Sequence, residues 1–104
     1  MFKLDDFELD ELKTKVQFVD DLSNVLIKYY QHIKRIYLDA FFDKEGSFHE
    51  YLVIDFIGGA YLVRNCNWNS CSANLDEIAK LIHGGYYSEL HQYNKLKENS
   101  QKVI

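Results

Sequence analysis

The run "NCNWNSC" holds Asn65, Cys66, Asn67, Trp68, Asn69 and Cys71, the densest grouping of thiol, amide and indole side chains in this 104-residue chain. Thiols at such spacing can hold zinc, exchange disulfides or pack as small hydrophobes. Zinc takes four ligands, and its sequence signal is one short Cys pair followed by a second. Cys66 and Cys71, four residues between them, form a lone pair. His83 and His91 stand eight apart across a glycine break, while His32 and His49 fall in other predicted elements. A redox Cys-x-x-Cys is absent. The sequence therefore predicts no metal and no cofactor, with Cys66 packing as a small hydrophobe at the end of a strand.

In an extended backbone successive side chains alternate between faces. Asn65, Asn67 and Asn69 then continue the face begun by Tyr61 and Val63, and Cys66 with Trp68 continue the face of Leu62. One reading closes the core with Trp68 and leaves the amides to water and neighbouring turns. The other makes a recognition edge of Tyr61, Asn65, Asn67 and Asn69 with Trp68 as anchor, since Trp and Tyr dominate interface hot spots. In both, the stretch is first a strand-to-helix handover.

Catalytic signatures are missing. Ser70 or Ser72 with His83 and Asp76 supplies the ingredients of a nucleophile triad. The Gly-x-Ser-x-Gly elbow, the Walker phosphate loop and the His-Glu-x-x-His pair are nevertheless all absent. The chain is expected to be non-enzymatic.

Charge narrows the partner class. The net charge is −4 and the pI about 5.5, which argues against unaided nucleic-acid binding. One stretch, "IKYYQHIKRIY", interleaves Lys28, Lys34, Arg35 and His32 with Tyr29, Tyr30 and Tyr37, a mixture suited to phosphates and stacked bases. It makes a direct nucleic-acid binder the weaker alternative. Carboxylates can instead imitate a phosphate backbone and occupy a basic groove, with the electrostatics of DNA binding reversed in sign. The candidates are Asp5, Asp6, Glu8, Asp10 and Glu11 as a cluster, then Asp20, Asp21, Asp39, Asp43, Glu45, Asp76, Glu77 and Glu89. Aromatics reach 15% of the chain, more than one small core encloses, so some rings are expected at the surface. The charged N-terminus is no secretory segment and "YLVIDFIGGAYLV" is too short to span a bilayer. A cytoplasmic location with reduced thiols is expected.

The elements that must position these residues read as one α+β domain over residues 1–104. Asp5 as N-cap, Glu8 as capping-box partner and a Leu4–Leu9 staple start a helix. Leu9, Leu12, Val16, Val19, Leu22, Leu26, Tyr30 and Ile33 recur at helical spacing, with a possible break at Asp20-Asp21. Lys28, Lys34 and Arg35 at its predicted end complement the helix dipole. "IYLDAFF", "FHEYLVIDFI" and "AYLVRNCN", separated by "DKEGS" and Gly58-Gly59, predict a three-stranded antiparallel meander with apolar groups on both faces. Asn74 as N-cap and Gly84 as C-cap frame a helix over Leu75–His83, followed by another over Tyr86–Lys97. The tail over residues 98–104 is expected to fray.

This order, α-β-β-β-α-α in a small acidic chain ending in "IAKLIHGGYYSELHQY", resembles certain anti-CRISPR proteins of phages and mobile elements. The resemblance covers the whole chain as architecture and carries no specific motif. It implies an inhibitor and DNA mimic that occupies the surface where a type II CRISPR effector nuclease receives its PAM duplex. The expected partner is such a nuclease or another nucleic-acid-handling protein, met through the acidic cluster, Asp39 and exposed aromatics. The alternative is an immunity or accessory protein docking through tyrosines and Trp68.

Overall fold

Asp5 and Glu8 start the first helix as their types predict. In the computed structural model, which describes residues 2–65, 75–83 and 88–104, Asp5 is the N-cap of α1 (Asp6–Leu26). Its carboxylate accepts from the Glu8 N–H at 2.7 Å, and Glu8 Oε1 accepts from the Asp5 N–H at 3.3 Å. This reciprocal pair satisfies donors that a helix start otherwise leaves open. The helix runs unbroken through Asp20-Asp21 and stops at Leu26.

Tyr30 and Ile33 lie beyond that end, a correction to the predicted stripe. Turn bonds from Lys28 N–H to the Val25 carbonyl and from Ile33 N–H to the Tyr30 carbonyl redirect the chain. Both side chains rejoin the same core, Tyr30 from the loop and Ile33 from the first strand. Helical spacing thus persisted past the helix because the core, not the backbone, set it. Lys28, Lys34 and Arg35 consequently sit outside α1, whose last turn carries no basic residue. Dipole complementation operates at the acidic start alone.

The strands β1 (Ile33–Phe42), β2 (Phe48–Phe56) and β3 (Tyr61–Asn65) form the expected antiparallel meander. Asp43 closes the first turn, its Oδ1 accepting from the Glu45 and Ser47 N–H groups at 2.9 and 3.0 Å. Gly46 there has φ +92°, a conformation that favours glycine, and a Cβ on it would also push aside the Phe2 ring, 2.6 Å away.

A fourth strand was not foreseen. β4 (Gln101–Lys102) pairs with Phe42 and Phe41 on the free edge of β1, giving the order β3-β2-β1-β4. The tail expected to fray is therefore held. Val103 N–H donates to the Ala40 carbonyl at 3.1 Å, and Gln101 Nε2 donates to the Phe2 carbonyl at 2.5 Å. Two residues are too short a run to show strand periodicity, so this edge was invisible beforehand.

The sheet is covered on both faces. Ile36, Leu38 and Ala40 of β1 and Leu52 and Ile54 of β2 pack with Leu12 and Val19 of α1 and Ile78 of α2 (Leu75–Ile82). Phe41, Tyr51, Val53 and Val63, of opposite parity, pack with Leu90, Tyr93 and Leu96 of α3 (Leu90–Lys97). α3 begins at Leu90, later than predicted, because residues 88 and 89 serve the sheet. Glu89 N–H donates to the Val63 carbonyl at 2.8 Å, and Ser88 Oγ accepts from the Val63 N–H at 3.4 Å. Edge strand β3 is thereby capped. The predicted caps Asn74 and Gly84 lie outside the described residues.

Candidate functional site

Of the five clustered carboxylates, two are committed locally: Asp5 and Glu8 hold the capping box. Asp6 and Asp10 are exposed, and Glu11 is half-buried. Further along α1, Asp21 accepts from Gln17 Nε2 at 2.8 Å, and Asp20 pairs with Arg35 at 3.5 Å. Between these carboxylates runs an apolar line that sequence reasoning missed. Phe7, Phe18 and Val25 are 71%, 43% and 50% exposed. They are eleven and seven residues apart, which at about 100° per residue returns each to within about 20° of one line on the helix. That spacing was legible in the sequence, but these residues fell between the positions of the buried stripe and were not assigned a face.

Asp39 requires a correction. As a docking carboxylate it should face solvent, yet it is 5% exposed and lies under α3. Its Oδ2 accepts from the Tyr93 hydroxyl at 2.5 Å and from Lys97 Nζ at 2.8 Å. The physical reason is parity: Asp39 shares its face with Tyr37 and Phe41, and α3 covers that face. Burial and the bond to Asp39 push the Tyr93 hydroxyl far above the ordinary tyrosine value. Lys97 also sits 5.0 Å from the Phe41 ring centre, so the pair pins α3 to the sheet.

Beside this network opens a groove of about 310 Å³ lined by Tyr37, Val53, Tyr61, Leu90, Tyr93, Asn94 and Lys97. Tyr61, predicted as a contact residue, is 43% exposed at its rim. Arg35 lies over the Tyr37 ring at 4.5 Å from its centre, and burial raises the Tyr37 hydroxyl above its ordinary value. Asn65 is half-buried, its backbone N–H donating to Glu89 Oε2 at 2.5 Å, so it belongs to the strand edge more than to a display surface. The buried Tyr51 hydroxyl has the Asn65 side chain as a neighbour but forms no hydrogen bond of good geometry among the described residues. Asn67, Trp68, Asn69, Cys66 and Cys71 lie outside the described residues.

The remaining candidates disperse. His83 meets the Tyr30 hydroxyl at 3.3 Å, and Ser70 and Ser72 lie outside the described residues. The stretch from Lys28 to Tyr37 divides between a turn and β1 and is not a helical strip. His49 contacts Asp43 at 2.8 Å, and that bond, with those from the Ser47 and Glu45 amides, holds Asp43 below the usual carboxylate range. Beneath α1, Lys15 reaches Glu50 at 3.2 Å with side chains only 9% and 11% exposed. Burial raises Glu50 above its ordinary value, Lys15 opposing the shift. Among the described residues no group of three or more His, Cys, Asp or Glu could hold a metal. No described helix is long and apolar enough to cross a membrane.

Comparison of the sequence with family models, with curated proteins and with solved structures gives no match.

Proposed function

We propose that the chain is a non-enzymatic interaction protein, an inhibitor of the anti-CRISPR kind, that covers the basic nucleic-acid-binding surface of a nuclease with the outer face of α1. The observation that carries this reading is the line Phe7–Phe18–Val25, exposed along one side of a helix and accompanied by Asp6, Asp10 and Asp21. Isolated surface apolar residues need no explanation, but Phe7, Phe18 and Val25, about 16 and 10 Å apart along one side of a capped, core-backed helix, present three contact points at fixed spacing. An apolar line bordered by carboxylates complements a basic surface: the charges steer encounter, and the rings supply desolvated contact.

The test uses guide-loaded type II CRISPR effectors and measures their binding to target DNA with and without the purified chain. The chain is expected to suppress DNA binding. Asp6→Lys with Asp10→Lys should weaken that suppression by about tenfold or more, as should Phe18→Ala, equivalent to at least about 1.4 kcal/mol. Asp5 and Glu8 are left intact because reversing them would also cost helix stability. Equal suppression by a folded reversed variant would remove α1 as the docking face. No suppression of any effector would remove the nuclease reading.

A further inference from the structure

On the sheet face opposite α1, the tyrosine groove plays no part in the function just proposed. Its floor is apolar, made by Val53 and Leu90, and three aromatic rings, Tyr37, Tyr61 and Tyr93, stand around it. We propose that this groove binds a proline-rich segment in the polyproline II conformation.

Among the described residues, the polar groups around the groove divide into committed and available ones. Tyr93 and Lys97 are committed to Asp39 at 2.5 and 2.8 Å, whereas the Tyr37 and Tyr61 hydroxyls and the Asn94 amide make no hydrogen bond among the described residues. All three can donate. All three can also accept, so what selects the ligand is the lining: the ligand must bring backbone acceptors to these groups and rest an apolar surface on the tyrosine rings. Polyproline II segments have that composition: proline lacks an N–H, the backbone carbonyls stand solvated and unpaired, and the rings present an apolar ridge. Their preformed helix, about 9 Å per turn, loses little conformational freedom on docking to aromatic grooves.

Charge favours the same occupant. The Lys97 ammonium is matched by Asp39. At the groove's end Arg35 lies over Tyr37, and Asp55 stands opposite Tyr61 in the β2–β3 ladder, so the nearby charges are of both signs. A site for a phosphate would carry uncompensated cations, and one for a basic peptide uncompensated carboxylates. The groove is also preorganised, because the bonds from Tyr93 and Lys97 to buried Asp39 fix α3 against the strands before anything binds.

The experiment titrates the uniformly 15N-labelled chain with an acetylated deca-proline peptide, with a Gly-Ser decamer and with AMP, following amide shifts. Deca-proline should give saturable shifts centred on Tyr37, Val53, Tyr61 and residues 90–97, and the Gly-Ser peptide none. Tyr61→Ala and Asn94→Ala, at exposed positions, should preserve the spectrum and weaken binding about tenfold, with Tyr61→Phe nearer threefold since the ring remains. The proposal is overturned if deca-proline gives no saturable shifts, or shifts outside the groove, or equal affinity for Tyr61→Ala. Tighter binding of AMP to the same residues overturns it too, because the occupant would then be an anionic base.

Discussion

Asp39 is a strand carboxylate with its side chain 6% exposed, and such a charge persists only when its oxygens are well satisfied. The Tyr93 hydroxyl and Lys97 ammonium meet that requirement. Tyr93→Phe removes a hydrogen bond to a buried charge and should lower unfolding free energy by about 1.5–3 kcal/mol in urea denaturation. The pH dependence has a defined sign. The Tyr93 hydroxyl is raised above its ordinary 10.0, so its contribution is complete below pH 10 and is lost as pH rises above it. Phenolate absorbance should show tyrosines that stay protonated until the chain unfolds in alkali, and Tyr93→Phe should diminish that late fraction. Early, non-cooperative ionisation of every tyrosine would contradict the buried network. The alternation in "IYLDAFF" puts Asp39 on one face with Tyr37 and Phe41. It could not reveal that α3 covers that face, because coverage depends on where a distant helix lands.

At the scale of elements, α1 was legible at its start and ambiguous at its end. Capping chemistry is local, so Asp5, Glu8 and the first turn followed from residue types alone. The core stripe also contains Lys15 and Ser23, which occupy helical positions between Leu12, Val19 and Leu26 and are buried. Ser23 Oγ accepts from the Ile36 N–H at 2.8 Å and Lys15 meets Glu50; neither partner was visible, since each lies across the sheet contact. The Lys15–Glu50 pair yields a two-part expectation. Burial of the Glu50 charge outweighs the Lys15 attraction, so Glu50→Gln, which mimics the protonated carboxyl, should cost little at neutral pH or stabilise the fold. Lys15→Met together with Glu50→Leu should be neutral, or stabilising by up to about 4 kcal/mol. Burial holds the Glu50 carboxyl above its ordinary 4.5, so its favourable contribution is present below that value and disappears as pH climbs through the raised one. The urea midpoint of the double variant should therefore gain on the wild type between about pH 4 and about pH 7. A constant difference across that range would show that Glu50 titrates normally.

For the molecule as a whole, the sheet separates two surfaces of different character: a carboxylate-bordered apolar line on α1 and a charge-balanced tyrosine groove beside α3. Neither shares a residue with the other, so substitutions on one should leave the other's binding unchanged. The same sheet is completed by the last residues of the chain, which join β1 on its outer edge and tie back to Phe2. Removing residues 101–104 deletes the β4 pairing, the Val103 packing against the α1-side core and the Gln101–Phe2 bond. With each net hydrogen bond worth about 1 kcal/mol and a half-buried valine about as much, the loss should be about 2–4 kcal/mol. A lowered urea midpoint with an unchanged slope identifies this as lost stability without a change in the unfolding unit. A truncated chain with the wild-type midpoint would mean that the terminal residues contribute nothing, the behaviour their composition alone suggested. The groove should keep its peptide affinity at temperatures where the truncated chain stays folded, because α3 is held by Asp39 and not by β4.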